Sequence, residues 1–215
     1  MPALVGEYNI SNTLQAVAAA HCVSDVSVSL KEALEAITQV PGRLEKVGPP
    51  SSATAEPKQS TPPAVLVDYA HTPDALINAL SALRPVTTGK LIVMFGCGGD
   101  RDKTKRPLMA KAACQWADTI FLTSDNPRTE DPDQIIRDAA EGVPADKRDD
   151  LTIIADRAAA IQASVLAGQS DDTVLLAGKG HEDYQTIGTE NIHFDDREHA
   201  AKALELWASQ KAAHR

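Results

Sequence analysis

The sequence predicts an α/β fold, a doubly wound and mostly parallel sheet with helices on both faces, preceded by a short helical N-terminal remnant. Three observations predict it. Short, almost wholly apolar runs recur from residue 64 onward, amphipathic helical segments separate them, and polar loops marked by glycine or proline follow four of the runs. A strand covered on both faces loses the in–out alternation of a half-exposed one, and parallel neighbours need a crossover helix between them. Aromatic residues make up only 4% of the chain, so the core is left to Leu, Ile, Val and Ala.

The elements follow in order. Ser11 is placed to cap a first helix with Leu14, Val17 and Ala18 at helical spacing, and Ser29-Leu30-Lys31-Glu32 is a capping-box pattern for a second, with Leu30, Leu34 and Ile37 on one face. The stretch Gly48–Pro63, GPPSSATAEPKQSTPP, has no apolar period and reads as a linker or long loop. Ala64–Asp68 is the first strand, and Thr72-Pro73-Asp74 opens a helix with proline in its first turn. Leu91–Phe95 is the next strand, with a helix near Pro107–Trp116. Thr119–Thr123 precedes a helix capped at Asp131-Pro132 and running to about Ala140. Leu151–Ala155 leads to a helix opened by Asp156, and Thr173–Ala177 to another glycine loop. Ile187 and Ile192–Phe194 suggest a hairpin, and Asp195/Asp196 cap a last helix to about Ser209.

Composition excludes several functions. With 21 Lys+Arg against 30 Asp+Glu and no basic run, the net charge of −9 argues against nucleic acid as a partner. No apolar stretch is long enough to cross a bilayer, and no membrane partner is predicted. Three cysteines without a C-x-x-C pair read as thiols of a reducing cytoplasm, and no metal-ligand spacing occurs. There is no G-x-S-x-G elbow for a serine nucleophile.

Ligands of such folds bind beyond the carboxyl ends of the strands, where this sequence puts four polar loops. Gly96–Arg101 has glycines that allow positive φ and close backbone approach, as phosphate loops need, and it serves equally as a tight strand-to-helix turn. It is not a dinucleotide fingerprint, because Arg101 stands where the last glycine belongs, which disfavours a nucleotide-binding oxidoreductase. Cys97 within it reads as a packed side chain rather than a nucleophile. Asp125-Asn126-Pro127-Arg128 offers an amide and a guanidinium that suit a zwitterion's carboxylate; a plain turn followed by an exposed arginine explains it too. In Gly178–Glu182, Glu182 can receive an ammonium group, while His181 is a ligand contact or a helix-start residue. Asp68 and His71 form the first loop's pair, with Asp68 placed to accept ribose hydroxyls or to cap the Thr72 helix.

Four of these stretches, VDYAHTPDAL (67–76), FGCGGDRDKTKRPLM (95–109), SDNPRTEDP (124–132) and AGKGHEDYQ (177–185), resemble the C-terminal domain of the Mur ligase family, in its meso-diaminopimelate-adding branch. NISNTLQAVAAA (9–20) and VPGRLEKV (40–47) are similar to the end of the family's central domain. The resemblance implies a division into residues 1–47, the end of a central ATP-binding domain; 48–63, a linker; and 64–215, an amino-acid-binding domain. It implies that Arg101, Asp125, Asn126, Pro127, Arg128, Gly178 and Glu182 hold meso-diaminopimelate, with Arg128 selecting it over lysine. It places Asn12, Arg43, Asp68 and His71 around ATP.

The implied reaction uses ATP and Mg2+ to activate the carboxylate of UDP-MurNAc-L-Ala-D-Glu, which the amine of the diamino acid attacks to form an amide. No G-x-x-x-x-G-K-[ST] loop occurs in the chain. The family's phosphate-binding lysine and metal ligands belong to a region without counterpart here, so no catalytic or metal-binding residue is expected among these 215. The expectation is a C-terminal fragment that folds, binds the amino acid, meets the UDP-MurNAc-dipeptide only through absent domains, and does not ligate alone. The alternative is a stand-alone, non-catalytic amino-acid-binding or interaction domain.

Overall fold

Five parallel strands occupy the centre of the computed structural model, which describes residues 7–23, 29, 31–32, 39–48 and 61–213. They are β2 (Ala64–Asp68), β3 (Leu91–Cys97), β4 (Thr119–Ser124), β5 (Leu151–Ile153) and β6 (Thr173–Ala177); β1 (Glu45–Val47) adds antiparallel to β2 at one edge. The order is β1-β2-β6-β3-β4-β5. From β3 the chain steps outward through β4 and β5, then returns so that β6 lies between β2 and β3, with Val67 and Val93 in register with Leu176 and Leu175. The strand order therefore reverses between β3 and β6, which opens a crevice at their carboxyl ends.

The strands are apolar throughout because both faces are covered. Leu66, Val93, Phe95 and Leu175 pack with Leu76, Leu80, Met109 and Ile136, from the helices Pro73–Leu83, Lys105–Trp116 and Pro132–Ala140. Their neighbours Val65, Val67, Ile92, Met94 and Leu176 point the other way, onto Ile161, Val165 and Leu204 of the helices Arg157–Ala167 and Asp196–Ala213. Successive residues of a strand face opposite sides, so one run of sequence feeds two cores. The indole N–H of buried Trp207 on the last helix donates to the Gly168 carbonyl, 2.8 Å away, tying together the two helices of the second face.

Helix starts follow the capping rules. Thr72 Oγ1 accepts from the Ala75 N–H and Asp156 Oδ1 from the Ala159 N–H, while the Asp131 side chain accepts from Asp133 N, with Pro73 and Pro132 next to their caps. Two expectations need correction, and one strand is an addition. Ser11 is no cap: it lies inside a helix covering Glu7–Val23, where its Oγ accepts from the Gln15 side chain. Of the pair Asp195/Asp196 only Asp195 caps, accepting from Arg197 N, because Asp196 turns inward to a buried arginine. The Glu45–Val47 strand was not foreseen; three residues, two of them charged, carry too little pattern to announce it. Within the capping box, the Glu32 N–H lies 3.4 Å from Ser29 Oγ, while the rest of that helix and residues 49–60 of the Gly48–Pro63 stretch lie outside the described residues.

β1 enters the sheet through a close approach. Gly42, at φ +66, lies so near the backbone of Gly180 and His181 that a Cβ has no room, and its carbonyl accepts from Tyr69 N at 2.9 Å. This brings residues 42–44 onto the carboxyl rim beside the loops that follow β2 and β6.

Candidate functional site

The loops after β2, β3, β4 and β6 meet over the crevice and enclose a cavity of about 530 Å³. Arg101, Asp125, Asn126, Arg128, Gly178 and Glu182 all line it. Pro127 does not: it is buried behind the cavity wall, with its carbonyl against Gly99 so closely that only a glycine fits there. Positive φ in the Gly96–Arg101 loop falls on Asp100 (φ 53) rather than on its glycines, whose role there is close approach. Asp100 is held by Thr129, whose Oγ1 donates to its carboxylate, and by the Glu130 carboxylate that accepts from its N–H.

The Asp125–Arg128 turn is shaped by a neighbour the sequence only hinted at, the hairpin of β7 (Tyr184–Ile187) and β8 (Glu190–His193). Gln185 Nε2 donates to Asp125 O, Thr186 N to Asn126 Oδ1, and Arg128 N to Thr186 O, while Arg128 O accepts from Gly188 N. These bonds hold Arg128 at φ +51, the left-handed region that non-glycine side chains seldom occupy. From there its Nη1 donates to Gly99 O at 2.8 Å. Arg101 is exposed, and its one hydrogen bond among the described residues goes to the carbonyl of its neighbour Asp100.

Behind the cavity sits Lys179, with no exposure at all. Its Nζ donates to Asn126 Oδ1 at 2.9 Å and Tyr184 O at 2.8 Å. It lies 3.2 Å from Asp125 Oδ1, as an ion pair rather than an aligned hydrogen bond, and 3.8 Å from Glu182 Oε2. Asn126 Nδ2 in turn donates to Glu182 Oε2 at 3.2 Å. Two further buried cations brace the rim. The Arg157 guanidinium pairs with Asp196 at 2.6 and 2.8 Å and donates to Ser124 O and Ala177 O, the last carbonyls of β4 and β6. Arg106 bridges Glu130 and Asp138 at 2.8 and 2.7 Å.

Sequence reasoning missed Lys179, Arg106 and Arg157 as organisers. The available signal was a lysine between two glycines directly after an apolar strand, which gives position but not direction. Cys97 also lines the cavity, and burial, reinforced by the nearby Asp125 charge, pushes its thiol up to about 12, so it offers no thiolate.

Arg43, Asp68 and His71 line a second cavity of about 770 Å³ next to the first, with Tyr69 and His71 shared between the two. Arg43 lies 4.9 Å from the Tyr69 ring centre. Asp68 is buried, and its oxygens accept from Leu44 N (2.7 Å) and Ala70 N (2.9 Å). Burial raises its pKa above the usual aspartate value, with those two bonds and Arg43 pulling the other way. Thr72, not Asp68, caps the following helix. Asn12 lines neither cavity and is exposed on the Glu7–Val23 helix. His181 sits exposed in a turn, not at a helix start, with its ring 5.3 Å from that of Tyr69.

The fold and site together define a doubly wound α/β domain that gathers guanidinium groups and carboxylates around one cavity. Its residues 55–180 match the family model described as Mur ligase, glutamate ligase domain, and the chain belongs to the Mur ligase family. It is 52% identical over 204 residues to the UDP-N-acetylmuramoyl-L-alanyl-D-glutamate–2,6-diaminopimelate ligase of Nostoc sp., covering 94% of this chain and 38% of the relative. The enzyme of the same name from Thermosynechococcus vestitus is 47% identical over 201 residues, with the same coverage. A solved structure of a ligase of that name superposes with a TM-score of 0.72 at 36% identity, covering all of this chain and 40% of that one. The folylpolyglutamate synthase of Mycobacterium tuberculosis, at 18% identity and a TM-score of 0.60 over 96% of this chain and 41% of its own, shares the fold. The chain thus spans well under half the length of the curated relatives it matches.

Proposed function

We propose that this chain is the part of an ATP-dependent amide ligase that binds meso-diaminopimelate, the whole enzyme adding it to UDP-MurNAc-L-Ala-D-Glu during peptidoglycan precursor synthesis in the cytoplasm. The observation that carries this reading is the cavity with Arg101 and Arg128, Asp125 and Glu182 on its wall. A molecule with two carboxylates and two ammonium groups is the complement of that wall. Lysine lacks the second carboxylate, which is the group a guanidinium at Arg128 selects. The relatives' names support the same choice of amino acid.

In this reading the chain's residues hold and orient the diamino acid, so that its amine meets an acyl group activated elsewhere, and their contribution to rate is positioning. Residues 64–215 supply that pocket, residues 1–47 belong to a central domain and 48–63 join the two. Arg43, Asp68 and His71 border the ATP site, supported by the second cavity and its tyrosine ring; Asn12 rests on the family resemblance alone. ATP supplies the acyl activation when bound. Among the described residues no three His, Cys, Asp or Glu come together; a magnesium ion would come with the phosphates of ATP and one or two carboxylates, and no step is assigned through it in this chain. With no G-x-x-x-x-G-K-[ST] loop in the 215 residues, ligation needs more than this chain.

Calorimetric titration with meso-diaminopimelate and with lysine tests the reading. The chain should prefer diaminopimelate, and Arg128→Ala should weaken that ligand by roughly ten- to a hundredfold, the worth of a charge-assisted bond, while leaving lysine nearly unaffected. Equal indifference of the unaltered chain to both amino acids overturns it.

A further inference from the structure

Lys179 does not line the amino-acid cavity, yet it bonds or approaches four of the residues that do. A fully buried ammonium is costly unless every proton is placed and its charge is answered. Here two protons go to Asn126 Oδ1 and Tyr184 O, and the charge faces Asp125 and Glu182.

Two consequences follow. The first is geometric. An asparagine amide has two near-equivalent orientations, and Lys179 together with Thr186 N fixes the oxygen inward, leaving Nδ2 to donate to Glu182 Oε2. The Glu182 carboxylate is thus aimed by a relay that begins at Lys179. The second is electrostatic. The cavity wall carries four cationic side chains (Arg101, Lys105, Arg106 and Arg128) and three carboxylates (Asp102, Asp125 and Glu182), with Arg106 answered by Glu130 and Asp138. Lys179 adds one further positive charge from behind, beside Asp125 and Glu182. The extra positive charge favours a ligand that brings one more carboxylate.

We infer that Lys179 is a specificity-determining positioning residue: from behind the cavity it orients Asn126 and Glu182 and biases the site toward a diamino acid with two carboxylates over one with a single carboxylate. This rests on the proposed amino-acid site and adds a determinant that never touches the ligand.

The test is the ratio of lysine to meso-diaminopimelate dissociation constants, measured by calorimetry on the full chain. Two unit charges about 8 Å apart, at an effective dielectric constant of about 20 to 40, interact by a factor of about five to thirty, and removing the Lys179 charge should shrink that ratio by this order. Lys179→Gln, which keeps a donor for Asn126, and Lys179→Met, which keeps none, should both show the loss. Lys179→Arg, which keeps the charge, should hold the ratio within about twofold. A damaged fold weakens both ligands together and leaves the ratio in place, so an unchanged ratio in Lys179→Gln overturns the inference.

Should neither neutral variant fold, the unaltered protein still decides by NMR of the lysine ammonium groups. A slowly exchanging Lys179 ammonium resonance that moves with diaminopimelate more than with lysine supports the inference; equal response to both overturns it. If the unaltered chain distinguishes neither amino acid, it is the reading of the site that has failed, an outcome visible before any Lys179 variant is made.

Discussion

Beneath the proposed amino-acid side of the rim lie three buried cations, Arg106, Arg157 and Lys179, whereas beneath the proposed nucleotide side lies a buried carboxylate, Asp68. The contrast follows from which backbone groups each side leaves over. β4 and β6 end in outward-pointing carbonyls at Ser124 and Ala177, and Arg157 collects them. The turn after β2 and the incoming residue before β1 instead present N–H groups at Ala70 and Leu44, and Asp68 collects those. Arg157 and Asp68 thus finish backbone hydrogen bonding at the carboxyl ends of the strands, with a sign that follows whether the groups left over are acceptors or donors. Arg106 and Lys179 instead mainly answer side chains, Glu130 and Asp138 for the one, Asn126 and Asp125 for the other.

The largest effect expected from this comparison is at Asp196, which answers Arg157 with both side chains wholly buried. Asp196→Ala leaves a guanidinium unpaired in the core, and denaturant unfolding should show a loss of about 3–5 kcal/mol. A loss under about 1 kcal/mol would mean that water reaches the pair and that the cationic side is no better braced than a surface salt bridge.

The carboxylate side should be the weaker. Asp68→Ala strands two N–H donors but no opposite charge, so the same measurement should give about 1–3 kcal/mol. A cost equal to that of Asp196→Ala would erase the distinction between the two sides.

The smallest effect separates them by pH. Hydrogen bonds from Arg106, then Lys103 and the Asp100 N–H, hold the Glu130 carboxyl down from 4.5 to about 2. A carboxyl depressed in the folded state contributes stability above 4.5 and loses it as pH falls toward about 2. Asp68 runs the other way, because its raised value means that ionisation opposes folding and protonation favours it. Unfolding followed across that acid range should therefore fall less steeply in Glu130→Gln than in the unaltered chain; parallel curves would show that Glu130 plays no part.

Much of this architecture was legible beforehand. Val93-Met94-Phe95 and Leu175-Leu176-Ala177 are apolar because each strand feeds two cores, and such runs mark a covered parallel sheet. Thr72, Asp131 and Asp156 mark helix starts because a cap is a local interaction, decided within a few residues of sequence. What stayed hidden depends on direction and distance. Asp196 looks like a cap until a partner 39 residues away claims it. Arg128 could be placed in a turn but not at positive φ, since the hairpin holding it lies nearly sixty residues on, at Thr186 and Gly188. The same holds for Lys179, whose inward course no neighbour in the chain announces.

β1 runs against its one neighbour, β2, with Glu45 opposite Val67 and Val47 opposite Val65, so the chain enters the sheet at the carboxyl rim rather than at the far end. Residues 42–44 are therefore part of the rim itself: Gly42 bears directly on the backbone of Gly180 and His181, and Leu44 is pinned to Asp68. With Tyr69 N donating to Gly42 O and the Tyr69 side chain shared by both cavities, the entering chain and the two cavity mouths form one bonded unit.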